Sequence, residues 1–225
     1  HLRTRRQRQM CIRDSSYRLS GDYISAIKYY NIEIINWPSY LLSYQKLAEL
    51  YALDMYDYDA AERSYKNAFE IEAKEAMEPD YEADYDFINL CLSNINFLYI
   101  KKDYDQVIIE SDQVILIDEN DPQPNYIKAL VYIEQEKYLS AYNELVKCIE
   151  KIIKYSAEGY FIQNFDGNAL GFHEVFLKRA LVSEKLNDFE LACNDLESAK
   201  NYTDEDEEIY KINQIINNKC SKKTL

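Results

Sequence analysis

The chain has 225 residues, a formal net charge of −14 and 47% apolar residues. This length accommodates one or two ordinary domains, or a single stack of short repeats with a substantial core. Glycine and proline contribute only four residues each. That scarcity disfavours turn-rich β folds and favours long helices joined by short connections. An acidic surface repels nucleic-acid phosphates, and no apolar run reaches the length of a membrane span. We therefore expect neither a nucleic-acid partner nor membrane insertion.

The first fifteen residues, HLRTRRQRQMCIRDS, differ in composition from the remainder. They hold five of the eight arginines, whereas the rest of the chain relies on 18 lysines. The string resembles translated sequencing-adaptor read-through, so residues 1–15 are interpreted as a non-native basic segment and excluded from the fold prediction. The rival interpretation is a genuine basic arm that binds nucleic acid or directs targeting.

A helical pattern led by an aromatic residue recurs five times in the remaining sequence. It has an aromatic residue at offset 0 and mainly small or apolar residues at offsets 3, 7 and 10, which share one helix face. The copies begin at Tyr23, Tyr58, Tyr104, Tyr138 and Phe189. Aspartate precedes four of the five, and aspartate is a preferred N-cap. The pattern therefore predicts five helix starts.

Another amphipathic segment lies upstream of these markers, for example Tyr44, Leu47, Ala48 and Tyr51 on one helix face. Each unit is thus predicted to be a helix, a short turn and a second helix, with stacking of neighbours forming the core. The intervals between markers are 35, 46, 34 and 51 residues. Two are close to a period of about 34 residues, and the other two indicate insertions.

This pattern resembles the tetratricopeptide repeat (TPR) family, in particular its bacterial members. The resemblance is carried by the segments Gly21 to Pro38, Leu47 to Ala68 and Asn187 to Leu196, the last with an A-C-x-D motif. It implies an all-α fold, a right-handed α-solenoid of stacked antiparallel helix pairs. We predict a repeat domain at 16–203 (units at about 16–38, 40–77, 85–118, 123–155 and 172–200), a capping helix at 204–218 and a tail at 219–225.

The C-terminal region and the cysteines support further expectations. Ile209, Ile212, Ile215 and Ile216 follow an acidic run, which predicts an amphipathic capping helix whose chain frays from Asn217 onwards. The five cysteines form no C-x-x-C pair and are widely spaced, which argues against a disulfide framework and favours a reducing compartment. We therefore expect a cytoplasmic protein, although a truncated N terminus would hide any signal peptide.

Catalytic and metal-binding patterns are weak. His173 has no partner at ligand spacing, and no phosphate-binding loop or nucleophile motif occurs. Asp80, Glu82, Asp84 and Asp86 alternate like the start of a calcium loop, but Tyr85 replaces the glycine that such a loop requires. We therefore predict a non-catalytic protein without cofactor or metal. Two alternatives stay open: the repeat portion of a larger enzyme or regulator, and a helical enzyme that uses paired groove carboxylates.

The TPR resemblance places the binding site on the first helices of successive units, which line a concave groove. The candidate peptide-binding residues are Gln45, Lys46, Glu49, Asn94, Phe97, Tyr126, Ile127, Leu130, Lys178, Leu181 and Lys185. The partner is expected to be a protein or peptide with apolar and basic residues, because the groove positions are partly apolar and the chain is acidic. The alternative interpretation is that Phe97, Ile127 and Leu130 pack against adjacent helices and do not contact a ligand.

One long insertion, residues 156–172, contains three of the four glycines and four aromatic residues. Long loops in compact folds are often functional. One hypothesis is that the insertion folds over an edge of the stack or into the groove and shapes the binding site. The alternative is that its aromatic residues patch an irregular junction between units.

Overall fold

The structure is a computed structural model that describes residues 16–77, 85–155, 162–163, 169–203 and 205–220. A helical turn at 16–19 precedes the first long helix. The elements that follow are α1 (Tyr23–Asn36), α2 (Leu41–Glu49), α3 (Tyr58–Glu75), α4 (Tyr85–Ile100), α5 (Tyr104–Ile117), α6 (Gln123–Glu134), α7 (Tyr138–Tyr155), β1 (Ile162–Gln163), β2 (Ala169–Leu170), α8 (Phe172–Lys185), α9 (Phe189–Asn201) and α10 (Asp206–Lys219).

All five aromatic markers are the first residue of a helix, as predicted. The carboxylates of Asp22, Asp57, Asp103 and Asp188 each accept a hydrogen bond from the backbone N–H three residues on, at 3.1, 2.9, 3.5 and 3.1 Å. Each bond satisfies one of the free amides of the first turn. The small or apolar residues three, seven and ten positions after the marker are buried, among them Ala141, Leu145 and Cys148 of α7.

The turn before each marker has a common backbone conformation. A residue with positive φ stands two positions ahead of the aromatic in every case: Gly21, Tyr56, Lys102, Glu136 and Asn187. In the last turn, the N–H of Asn187 bonds to the carbonyl of Glu184 and that of Asp188 to the carbonyl of Ser183. These bonds close the preceding helix as a Schellman motif. The same aspartate therefore ends one helix with its N–H and begins the next with its carboxylate.

The turn after α2 contains one residue more than the others. Leu50–Asp54 continue α2 as a π-helical turn, and the N–H of Asp57 bonds to the carbonyl of Tyr51, six residues back rather than five. A π-turn accommodates one extra residue within a helix. This extra residue matches the interval of 35 between Tyr23 and Tyr58, one above the typical TPR period.

The chain divides into two compact units, with unit 1 ending at Phe97 and unit 2 beginning at Leu98. In unit 1, α1 packs on α2 and α2 packs on α3. Tyr30 of α1 is buried with Leu47 and Leu50, while Tyr65 of α3 is buried with Phe97 of α4. The side-chain core of unit 1 therefore runs from one helix to the next, as expected for stacked hairpins.

In unit 2, consecutive helices from α5 to α10 pack on one another. The core centres on Leu145 and Ile152 of α7, with Ile212 of α10 buried in the same cluster. The middle helix α6 is buried at nine consecutive positions, from Gln123 to Val131. Beyond its packing between α5 and α7, α6 also has β1 against it. Unlike an ordinary surface helix, α6 buries polar residues as well as apolar ones, among them Asn125 and Lys128.

The β1–β2 ribbon belongs to the 156–172 insertion, for which we predicted no strands. Its strands pair antiparallel, with Ile162 opposite Leu170 and Gln163 opposite Ala169. The proximity of β1 to α6 agrees with the hypothesis that the insertion folds onto the helix stack. Residues 156–161 and 164–168, which include most of its aromatic residues, lie outside the described part of the chain, so the patching role stays a prediction.

The cysteine prediction was wrong for one pair: Cys193 of α9 and Cys220, the C-cap of α10, form a disulfide bond. The two residues are 27 positions apart, and only the packing of α10 on α9 brings them together. The expectation of a reducing compartment loses its support, because disulfides persist mainly in oxidising compartments. Cys91 and Cys148 are buried and form no disulfide bond with another described residue, as predicted for small apolar residues inside helices.

The C-terminal prediction also needs correction. We expected fraying from Asn217, but α10 continues to Lys219. The ammonium group of Lys219 lies 2.6 Å from a carboxylate oxygen of Glu184 on α8, and the adjacent Cys220 is held by the disulfide. Residues 1–15, Pro79 and 221–225 lie outside the described ranges. None of the described helices has the length and apolar content that a membrane span requires.

Candidate peptide-binding face

The candidate residues on α2 form part of a polar network in unit 1 rather than a set of open side chains. Glu49 is its centre: its carboxylate accepts from Lys46 Nζ at 2.8 Å, Gln45 Nε2 at 2.8 Å and Arg18 Nη1 at 3.3 Å. It also accepts from Ser93 Oγ of α4 at 3.1 Å. The Glu49–Ser93 bond joins the first helices α2 and α4 directly.

The hydrogen-bond donors around Glu49 determine its charge state. Burial opposes its ionisation, but Lys46, Gln45 and Arg18 together hold the pKa of Glu49 below its ordinary value. The network continues through Ser93, whose hydroxyl lies 2.8 Å from the hydroxyl of Tyr65. Burial, and then the charge of Glu49, raises the pKa of Tyr65, so the phenol is neutral. The result is an ionised carboxylate held rigidly among donors.

Sequence reasoning missed Arg18 as a site residue. Arg18 reaches the network from the helical turn at 16–19 and also bonds to Asp54 in the π-turn through Nε. A usable signal was present, because only three arginines follow residue 15: Arg18, Arg63 and Arg179. In a lysine-rich chain, an arginine is favoured where a planar group must bind two acceptors. Arg18 and Arg179 both occupy such positions.

The two candidates on α4 have different surroundings. Asn94 is half-buried and follows Ser93 directly in the chain. Phe97 is only 2% exposed and packs between Tyr58 and Tyr65, with ring centroids 6.1 and 5.4 Å away. Packing thus accounts for Phe97, whereas Asn94 and Lys46 offer polar atoms at the surface of unit 1.

The three candidates on α6 are buried: Tyr126, Ile127 and Leu130 are 5%, 0% and 9% exposed. Tyr126 and Leu130 belong to the core of unit 2. Burial raises the pKa of Tyr126, which keeps its phenol neutral. In this conformation, with β1 against α6, these side chains contribute to packing, and their proposed role in ligand contact stays a prediction.

The candidates on α8 are more accessible. Leu181 is 42% exposed, Lys178 is half-buried and Lys185 is exposed. The ammonium group of Lys185 lies 5.9 Å from the ring centroid of Tyr138 at the start of α7, a cation–π contact. These three residues form an apolar and basic strip on the first helix of the last hairpin.

The described residues contain no group of three or more His, Cys, Asp and Glu side chains suited to a metal ion. His173 lies near the carboxylate of Glu174, with Nε2 and Oε1 separated by 3.8 Å. Of the four acidic residues that resemble a calcium loop, only Asp86 falls within the described ranges. The carboxyl groups of Asp121 and Asp195 have raised pKa values because of burial, but each is bound to a different partner.

Several solved structures share this architecture. MamA from Desulfovibrio magneticus RS-1 aligns with a TM-score of 0.60 at 10% identity, over 87% of this chain and 93% of MamA. YrrB, a TPR protein with an unusual peptide-binding site, aligns at 0.55 and 10% identity over 89% and 88%. A tetratricopeptide repeat protein from Parabacteroides merdae aligns at 0.51 and 16% identity over 90% and 68%. No protein-family model and no curated protein matches the sequence.

These similarities establish the fold class that the sequence predicted. The chain is an all-α protein of the tetratricopeptide type, built from stacked antiparallel helix pairs. At identities this low the similarity concerns the fold alone, because one fold hosts many functions.

Proposed function

We propose that this chain is a non-catalytic scaffold that binds a protein or an extended peptide through the first helices of its hairpins. The observation that supports this most directly is the polar network of unit 1. There, Glu49 of α2 accepts hydrogen bonds from Ser93 of α4 and from Lys46, and Asn94 is the next residue after Ser93 in the chain. Rigidly held side chains lose little entropy on binding, so such a surface is pre-organised for recognition.

The proposed ligand contacts are side chains of this network and Asn94. The donors Lys46 and Gln45 are oriented by Glu49, and Asn94 provides both a donor and an acceptor. An extended peptide presents backbone N–H and C=O groups that match such side chains. The solved structure of YrrB, described as a TPR protein with an unusual peptide-binding site, has the same fold and supports a peptide ligand for this class of surface.

We further propose that the partner carries basic and apolar residues. The chain has a formal charge of −14, so a basic partner is attracted over the range of the screened potential. The exposed Leu181 on α8 offers an apolar contact of the kind that a leucine or aromatic side chain of a partner covers.

A peptide-display selection on the intact protein tests the proposal. Selected peptides should be enriched in lysine, arginine and apolar residues. The best of them should bind at least tenfold more weakly to a Lys46→Ala, Asn94→Ala double variant, measured by calorimetry. Lys66→Ala is the matched control, because its side chain is 75% exposed on the second helix α3. Equal binding by both variants, or selection of no peptide, would overturn the proposal.

A further inference from the structure

Unit 2 contains a pocket of about 520 Å³ that is separate from the α8 candidates. It is lined by the second helices α5 and α7, by the turn before α6 and by the beginning of α6. Its volume is in the range of small-molecule sites. Four lysines line it, namely Lys128, Lys147, Lys151 and Lys154, which is a high density of positive charge for an acidic protein.

Two of these lysines are compensated by carboxylates. Lys128 Nζ lies 2.6 Å from Asp112 and 3.6 Å from Glu144, and Lys147 Nζ lies 2.9 Å from Glu144. Lys151 differs: its ammonium group donates to the backbone carbonyl of Asp121 at 3.1 Å. Within the described part of the chain, no carboxylate lies at ion-pair distance from Lys151. Burial lowers the pKa of Lys151, and the carboxylates of Asp121, Asp118 and Glu144 offset this only in part. An anion bound beside the ammonium group would offset it further.

Asn125 provides a second, independent feature of the pocket. It is only 2% exposed, and its Nδ2 donates to Glu144 Oε2 at 2.6 Å. This bond fixes the orientation of the amide, because the flipped amide would place two acceptor oxygens together. Its Oδ1 is then buried without a hydrogen-bond partner. A buried acceptor without a donor destabilises the protein. Because Asn125 lines the pocket, a hydrogen bond to Oδ1 from a bound ligand would remove this cost.

The acidic lining residues do not cancel these features. Asp112 is already bound to Lys128, and Glu119 and Glu150 are exposed, where water screens their charge. The less solvated part of the pocket holds Asn125, Lys128 and Lys151. A long polyanion would be repelled by the net charge of −14. A small anion needs only the local field of the pocket.

We propose that this pocket binds a small anion that carries a hydroxyl group next to its carboxylate or phosphate. The anionic group accepts from Lys151 and Lys147, and the hydroxyl group donates to Asn125 Oδ1. The hydroxyl requirement separates this site from general attraction of anions to lysines, because only a donor completes the bonding of Asn125.

Matched ligand pairs test the proposal by calorimetry on the intact protein. Malate and succinate differ by one hydroxyl, as do glycerol 3-phosphate and a propanediol monophosphate that lacks its central hydroxyl. The hydroxylated member of at least one pair should bind at least tenfold more tightly, and the pair that responds identifies the anionic group. Absence of binding by both hydroxylated anions at millimolar concentration, or equal binding within both pairs, would overturn the proposal.

Two substitutions in the pocket and one control substitution locate the binding. Lys151→Gln removes the charge but keeps a donor for the Asp121 carbonyl, and should weaken binding at least tenfold, as expected for loss of a charged hydrogen bond. Lys66→Gln in unit 1 makes the same charge change and should have no effect. Asn125→Ala should abolish the preference for the hydroxylated ligand. If that variant does not fold, the Lys151→Gln result still decides, because equal weakening by Lys66→Gln would mean that binding is not in this pocket.

Discussion

Arg179 binds the buried carboxylate of Asp195 with two parallel hydrogen bonds. Its Nη2 lies 2.6 Å from Oδ1 and its Nε lies 2.9 Å from Oδ2. Asp195 is only 1% exposed and belongs to the A-C-x-D motif of α9, whereas Arg179 is on α8. Burial raises the pKa of Asp195, and the guanidinium group offsets this only in part. The motif therefore serves to hold the last hairpin together.

Replacement of Arg179 is expected to be costly. Arg179→Ala should lower the free energy of unfolding by about 3–5 kcal/mol, because it leaves a buried carboxylate unpaired. Arg179→Lys should lose less, since lysine restores a charge but not the planar fork. The loss should shrink as the pH falls, because protonation neutralises the unpaired carboxylate. Urea denaturation at about pH 8 and pH 4 measures both effects.

Arg63 gives the control for this prediction. It is exposed on α3, so Arg63→Ala should change stability by no more than about 0.5 kcal/mol. Equal losses of unfolding free energy in Arg179→Ala and Arg63→Ala would contradict the prediction that the Arg179–Asp195 pair stabilises the fold.

The Cys193–Cys220 disulfide predicts a dependence of stability on redox conditions. The bond spans 27 residues, and a loop of that length restricts the unfolded chain by about 3–4 kcal/mol. Cys220→Ser should lower the free energy of unfolding by that order. A thiol reductant should lower the stability of the parent protein to the level of the variant and leave the variant unchanged. An effect of the reductant on both proteins alike would contradict this assignment.

Local interactions explain which parts of this structure were predictable. The hydrogen bond from the N–H of Leu191 to the carboxylate of Asp188 joins residues only three positions apart in the sequence. The same holds for the face formed by Ala141, Leu145 and Cys148. Because these features depend only on helix geometry, the helix starts could be identified without coordinates.

Other features depend on packing between distant segments. Cys193 meets Cys220 only because α10 folds back on α9, and β1 contacts α6 although the whole of helix α7 separates them in the sequence. Sequence spacing contains no measure of these distances, so the disulfide was missed and the burial of Tyr126, Ile127 and Leu130 could not be read from the sequence. Similarly, Lys46 and Glu49 were chosen as separate groove residues, and neither their bond to each other nor the bond from Ser93 of α4 to Glu49 was foreseen.

The positive-φ turns give a prediction with a matched pair of substitutions. Glu136 has φ of 56°, a conformation that costs a residue with a Cβ about 1 kcal/mol or more. Glu136→Gly should therefore raise stability by about 0.5 kcal/mol, after the greater entropy of unfolded glycine is included. Glu134→Gly, an identical change at the exposed end of helix α6, should lower stability by up to about 1 kcal/mol. Opposite signs in thermal or urea unfolding confirm the assignment, and matching signs contradict it.

The buried carboxyl of Asp121 predicts a pH-dependent gain from a neutral substitution. Asp121 is 7% exposed, and burial raises its pKa to about 6, with a smaller contribution from Asp118. A folded-state pKa above the unfolded value means that the folded protein holds the proton more tightly. Stability therefore falls as the pH rises from about 4 to 6, and the penalty is complete above that window.

In the parent protein, the N–H of Gln123 donates to Asp121 Oδ1 at 2.8 Å. Asp121→Asn removes the buried charge and keeps a side-chain oxygen that can accept this bond. Unfolding free energies should favour the variant by about 1–3 kcal/mol at neutral pH, and the difference should vanish near about pH 4. Asp22→Asn is the opposite case, because the hydrogen bonds from Ser25 lower the pKa of Asp22, so that substitution should give no gain at neutral pH. A pH-independent difference for Asp121→Asn would mean that the amide acts by packing or turn geometry rather than by removing a buried charge.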